Sequence, residues 1–222
     1  MRLKLIQDFV NNNTIENLKE YNKFLIEKLK DASIQNNRVS TYMIAVVILY
    51  LFFKESTIKD VDLSFIKIEK FVIIAQLTPP LFSLLFLYYL LLNAHRAEMI
   101  QFSRILTYEL YPNSLESKSS VVYREANTFA RLIQPYSFWL ETTKWDIDGK
   151  ATTGDAILRL PVLLIVLSPL IFIIYILKIL YFEYCDLTLS KYTFIFSIWV
   201  TIYTIYNLWR LLYQNYKWTQ EV

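Results

Sequence analysis

The sequence predicts an all-α fold, a polytopic membrane protein with four transmembrane helices and a helical cytoplasmic bundle. Three observations carry this reading. Hydrophobic residues make up 55% of the 222-residue chain and are bunched rather than periodic. Four runs without charge, at 39–53, 71–92, 160–177 and 192–208, are each bordered by charged or strongly polar residues. Lysine and arginine are also divided unevenly between the segments that separate these runs.

The lengths of the runs suit a bilayer. A hydrocarbon core needs about 20 mainly apolar helical residues. The second run meets that outright, whereas the third and fourth cover roughly 27 Å at the helical rise. The first run is the shortest, so Arg38 and Lys54 are expected to reach outward to the headgroups from its two ends. Orientation follows from the basic residues. Seven precede the first run, eight lie between 93 and 159, and Arg210 and Lys217 follow the last run. The other two connections hold only Lys54, Lys59, Lys67 and Lys70 in one, and Lys178 and Lys191 in the other. Both termini and the long central segment are therefore expected on the cytoplasmic side of a bacterial inner membrane. The start, MRLKLIQDFVNNN, lacks the apolar region and small-residue cleavage site of a signal peptide, so the first span is expected to act as an uncleaved signal.

Residues 1–38 read as a cytoplasmic amphipathic arm. Thr14 is placed to cap a helix, with Glu16 in its first turn. Ile15, Leu18, Tyr21, Leu25 and Leu29 form one apolar face. The acids Glu16, Glu20 and Glu27 dilute the basic surface that lipid binding would use, so this face is expected to pack on the protein itself, with a membrane-surface or partner-binding helix as the alternative.

Residues 39–92 hold transmembrane helices 1 and 2, with an external loop at 54–70. Its TIKDVDLSFIKIEKF is rich in β-branched and aromatic residues and suggests a short strand or hairpin, without a turn signal to fix the register. Pro79 and Pro80 remove two backbone donors from the second span and are expected to bend or break it near its outer end. At its inner end the apolar rhythm continues through His95, Met99, Phe102, Leu106 and Leu110 until Pro112. One helix is therefore expected from about 71 to 111, with those five residues as a packing or oligomerisation seam.

The cytoplasmic region 93–159 offers a second amphipathic helix from Ser117 to Ile133 and an aromatic stretch, YSFWLETTKW, at 136–145. DIDGKATTGD at 146–155 is the glycine-containing loop. Residues 160–208 hold transmembrane helices 3 and 4 around an external loop at 178–191. Pro161 suits the first turn of the third span and Pro169 is expected to kink it. Tyr181, Phe182 and Tyr184 read as an outer aromatic belt. Trp209, Tyr213, Tyr216 and Trp218, in the tail 209–222, read as an inner one.

No enzyme signature is present. His95 is the sole histidine and Cys185 the sole cysteine, which excludes two-histidine metal sites, a cysteine zinc site and an intrachain disulfide. DIDG resembles the opening of a calcium loop, but Ala151 stands where the loop needs glycine and Ile157 where it needs glutamate. Lys144 stands where a phosphate loop preceding Gly149-Lys150 needs its first glycine. No metal or cofactor is expected, nor direct nucleic-acid binding. The four runs carry no charge, which argues against an ion-coupled transporter.

The fourth span carries the remaining feature. Thr193, Ser197, Thr201, Thr204 and Asn207 recur at spacings of three and four, and Arg210 follows three later. They share one helix face. Such a stripe either holds the helix to a neighbour by hydrogen bonds or lines a path for water and ions in a ring of subunits. In its order of parts the chain resembles the small multi-span membrane proteins encoded beside prokaryotic antiviral systems, including accessory proteins of type VI-B CRISPR loci and four-span effectors of nucleotide-signalling defence. That resemblance implies a homo-oligomer in the lipid bilayer that perturbs permeability as a pore, is gated through its cytoplasmic helices, and has a cytoplasmic protein or ribonucleoprotein as a partner. The expectation is then a pore, with the six stripe residues lining it. The rival is a non-conducting anchor or scaffold for a soluble partner.

Overall fold

The computed structural model describes residues 8–55, 61–63, 66–68, 71–110 and 153–221. The expected helix from Ser117 to Ile133, the aromatic stretch at 136–145 and most of the DIDG loop lie outside them. Four long helices dominate: α1 (Ile15–Glu55), α2 (Phe71–Leu110), α3 (Thr153–Tyr184) and α4 (Thr188–Glu221). Between α1 and α2, β1 (Val61–Leu63) pairs antiparallel with β2 (Ile66–Ile68), in the register Val61↔Ile68, Asp62↔Lys67 and Leu63↔Ile66. The fold is thus all-α with one small hairpin.

Each helix outruns the apolar run that predicts it. A charge at the edge of an apolar run marks where a different solvent begins and does not end a helix. Only capping or a backbone break does that. At the start of α1, Thr14 Oγ1 accepts a 3.4 Å hydrogen bond from the Asn17 amide, as a cap should. No stop signal follows, and arm and first span form one helix of 41 residues. The segment 178–191 contains no long loop. α3 continues past Lys178 to Tyr184, and α4 begins at Thr188. α3 also begins at Thr153, so Pro161 lies inside the helix and not in its first turn. α2 runs unbroken through Pro79 and Pro80. Pro79 is fully buried, and neighbouring helices make such prolines tolerable in membrane helices.

Three helices, α1, α2 and α3, are long and apolar enough to cross a membrane. The fourth run, 192–208, lies inside α4, but its threonines, tyrosines, tryptophan and asparagine lower its hydropathy and α4 does not reach the same standard.

The chain divides into two compact units. Unit 1 comprises 1–37 and 92–141 and takes the first half of α1 and the second half of α2. Its described core is Leu18, Leu25, Leu29, Ala32, Met99, Ile100 and Leu106, with Phe9, Val10, Phe102 and Leu110 packed against it. Phe9, Tyr21 and Phe102 form an aromatic triangle with centroid separations of 5.2, 5.6 and 6.1 Å. Glu16, Lys19, Glu20, Lys23 and Lys30 are exposed. Leu18, Leu25 and Leu29 of the arm's apolar face are therefore covered within unit 1, whereas Ile15 is exposed and Tyr21 lies at the margin.

Unit 2 comprises 38–91 and 142–222. Phe172 of α3 sits edge-on to Tyr50 of α1 at 5.7 Å and to Phe82 of α2 at 4.7 Å. Ile173, Ile176, Leu180 and Val200 complete the buried centre. Lys54, at the end of α1, lies 4.6 Å over the Tyr175 ring and donates a 2.5 Å hydrogen bond to its hydroxyl.

Candidate functional site

The stripe of α4 can be followed residue by residue. Ser197 and Thr204 are fully buried, Thr193, Thr201 and Asn207 are half-buried, and Arg210 is exposed. Each hydroxyl donates to a carbonyl one turn back: Thr193 to Leu189 at 3.1 Å, Ser197 to Thr193 at 2.6 Å, Thr201 to Ser197 at 2.7 Å and Thr204 to Val200 at 2.7 Å. Asn207 Nδ2 does the same to Tyr203 at 2.8 Å. Back-bonding of this kind satisfies a hydroxyl inside an apolar environment without a partner helix.

Two contacts on this side of α4 reach α2, one at Ser190 just ahead of the stripe and one at Thr201. Gln76 Nε2 donates to Ser190 Oγ at 2.9 Å, and both residues are buried. Ser83 Oγ lies 3.4 Å from Thr201 Oγ1. Because the Thr201 proton is occupied by the Ser197 carbonyl, Ser83 is the donor of that pair. The contacts advance together along both sequences, so α2 and α4 run in the same direction here. Gln76 and Ser83, seven residues apart and both buried, form the matching polar line on α2. The sequence reading did not include that line, whose two members lie on either side of Pro79 and Pro80 and share a face only if the helix runs unbroken through them. Within the stripe, Ser197 and Thr204 are thus buried in the single chain and Thr201 meets α2, whereas Arg210 at its end is exposed. The surface of α4 is made instead by residues such as Ile195, Trp199 and Ile202, each more than 60% exposed.

In unit 1 the expected seam is only partly the buried one. Leu106 is completely buried, Met99 is 7% exposed, and Phe102 and Leu110 pack at the margin. His95 is exposed and lies off the seam. The buried line instead starts at Arg96, 3% exposed, and passes through Met99, Ile100, Ser103, Leu106 and Thr107. The 3–4 rhythm from residue 92 fits both lines. Spacing alone does not separate them, and a guanidinium can be buried where polar groups accompany it.

Such groups are present. Asn93 Nδ2 donates to Asn36 Oδ1 at 3.2 Å, and Ser103 Oγ donates to Asn22 Oδ1 at 3.4 Å. These two bonds fix α1 and α2 antiparallel within unit 1. One turn from the asparagine pair lie Ser33 on α1 and Arg96 on α2, both buried. Thr107 back-bonds to the Ser103 carbonyl at 2.8 Å. Asn36, with no exposed surface, is the residue that sequence reading should have noticed. It falls in the i+3/i+4 series of Leu25, Leu29, Ala32 and Ser33.

Among the described residues no grouping of histidine, cysteine, aspartate or glutamate could hold a metal ion. Cys185 is a free thiol in the short connection between α3 and α4. No family model, curated protein or solved structure matches the chain, so a functional reading has to be built from these contacts alone.

Proposed function

We propose that the protein is a non-conducting membrane anchor of four spans, with its termini inside, that holds unit 1 at the cytoplasmic face for a soluble partner. The observation that carries this reading is the occupation of the α4 stripe. Ser197, Thr201 and Thr204 donate to carbonyls of their own helix, and Thr201 also meets Ser83 of α2, which leaves little polarity to line an aqueous wall. The fourth span is supported by the strongly exposed Ile195 and Ile202, which suit contact with lipid while the polar face turns inward. The positive-inside asymmetry supports the orientation. Unit 1 supplies a water-type surface suited to a protein partner. The architectural likeness to antiviral-locus proteins makes a ribonucleoprotein effector the first partner class to test.

Ion and dye flux through liposomes containing the purified protein is the test, with Thr201→Leu alongside the native sequence. The anchor reading expects flux at the level of empty liposomes for both. Flux from the native protein that Thr201→Leu abolishes while assembly is retained would restore the pore reading, with Ser197, Thr201 and Thr204 on its wall.

A further inference from the structure

Two helices of unit 2 turn apolar ladders outward, and their chemistry differs. On α2 the ladder is mainly aliphatic: Ile73, Leu77, Leu81, Leu84 and Leu91 are 45–52% exposed, and Tyr88, 48% exposed towards the end of the apolar run, is the one member with a polar atom on its side chain. Lipid tails cover such a face without loss. On α4 the ladder is Tyr192, Ile195, Trp199, Ile202 and Tyr206, at spacings of three and four, and 60–69% exposed. Trp199 sits at the centre of the charge-free run 192–208. It stacks on Tyr203, with centroids 6.5 Å apart and planes inclined by 17°. Its indole N–H makes no hydrogen bond among the described residues.

Tryptophan and tyrosine favour the membrane–water boundary because one end of each ring system requires a polar partner. At mid-span neither water nor lipid supplies one, and an unsatisfied donor there is costly. We propose that the aromatic face of α4 around Trp199 and Tyr203 is the surface through which two copies of this chain pair in the membrane. The inference rests on α4 being a span. A second copy inserted in the same orientation brings its own Trp199, Tyr203 and Tyr206 to the same depth, so the face offers indole donors and phenol acceptors to itself. A two-fold axis along the membrane normal makes such a face self-complementary. The alternating three-and-four spacing lets the two ladders interdigitate as a left-handed seam. The pre-stacked Trp199–Tyr203 pair provides a rigid anchor that loses little freedom on contact.

Disulfide trapping of the full-length chain in native membranes tests the pairing, in a Cys185→Ser background. Ile195→Cys and Ile202→Cys are expected to give covalent dimers on oxidation, and Leu81→Cys, on the aliphatic ladder, is not. Adding Trp199→Leu, which keeps the helix apolar, is expected to lower trapping at Ile202→Cys several-fold. Trapping at Ile195→Cys and Ile202→Cys no greater than at Leu81→Cys overturns the pairing, as does indifference to Trp199→Leu. Thiol labelling of Thr188→Cys and Tyr213→Cys tests the span separately. Opposite-side accessibility with no dimer defeats the pairing alone, whereas same-side accessibility defeats the span and the pairing with it.

Discussion

Unit 1 and unit 2 both bury apolar side chains together with some polar ones, and they differ in what they expose. Unit 1 keeps Leu18, Leu25, Leu29 and Leu106 inside and shows Glu16, Lys19, Glu20 and Lys23 outside, as a water-soluble bundle does. Unit 2 shows Ile48, Ile174, Ile195 and Trp199 outside and hides Gln76, Ser83, Ser197 and Thr204. α1 belongs to both, with no break in its helix. The backbone is the same in each. Only the solvent that the side chains are built for has changed, and with it the force that holds the helices together. For a unit 1 in water, as proposed above, that force is removal of apolar surface from water. For a unit 2 in lipid, apolar surface meets lipid in either case, and close packing with interhelical hydrogen bonds has to suffice.

The contrast can be broken most severely in unit 1. Leu106→Asp puts a carboxylate where no solvent reaches and is expected to cost roughly 3 kcal/mol or more. His95→Asp, on the exposed side of the same helix, is expected to stay within about 0.5 kcal/mol. Size exclusion and thermal unfolding in mild detergent should separate the two variants. Equal behaviour would return His95 to the seam and reject the observed face of α2.

A matched pair of truncations sharpens the comparison. Leu29→Ala in unit 1 loses both water-driven burial and packing, and about 2–5 kcal/mol is expected. Phe172→Ala removes a larger side chain that bridges Tyr50 and Phe82. In a soluble core that would cost about 3–5 kcal/mol, but in unit 2 lipid contact replaces part of the transfer term, and a smaller loss than for Leu29→Ala is expected. Thermal unfolding of both variants in the same detergent measures the order. The reverse order would show that unit 2 is held by water-driven burial.

The smallest effects belong to the polar contacts of α2 and α4. Ser83→Ala and Gln76→Leu should each cost only ~0.6 kcal/mol, because Thr201 keeps its bond to the Ser197 carbonyl when Ser83 is lost. A double-mutant cycle between Gln76 and Ser190 isolates their bond. A coupling energy well above that figure would mean that the stripe specifies the α2–α4 alignment more strongly than ordinary membrane hydrogen bonds do.

Much of the fold was legible in the chain. The apolar runs located the helices, Thr14 located the start of α1, and the unbroken rhythm past Leu92 showed that α2 continues to about Leu110. The facing ends of α3 and α4 differ from the expected loop at 178–191, because long side chains such as Lys178 and Lys191 can leave a helix without ending it. Of the candidate site, the stripe's shared face could be read, since spacing alone decides which residues of a helix lie together. Met99 and Leu106 were likewise recognised as seam residues, whereas Arg96 and Asn36 were passed over because their side chains are polar.

The sequence by itself therefore determined the helical class, the approximate extent of the apolar segments and the residues that share each face. Periodicity is a property of one helix and contains no information about what stands opposite it. Only the tertiary structure decided that the α4 stripe turns to Gln76 and Ser83 of its own chain, that Arg96 and not His95 enters the interior of unit 1, and that Trp199 is left facing outward. Those outcomes depend on which helices meet and in which register. Register is fixed by side chains far apart in sequence, such as Asn36 with Asn93 and Ser83 with Thr201, whose partnership no local pattern records.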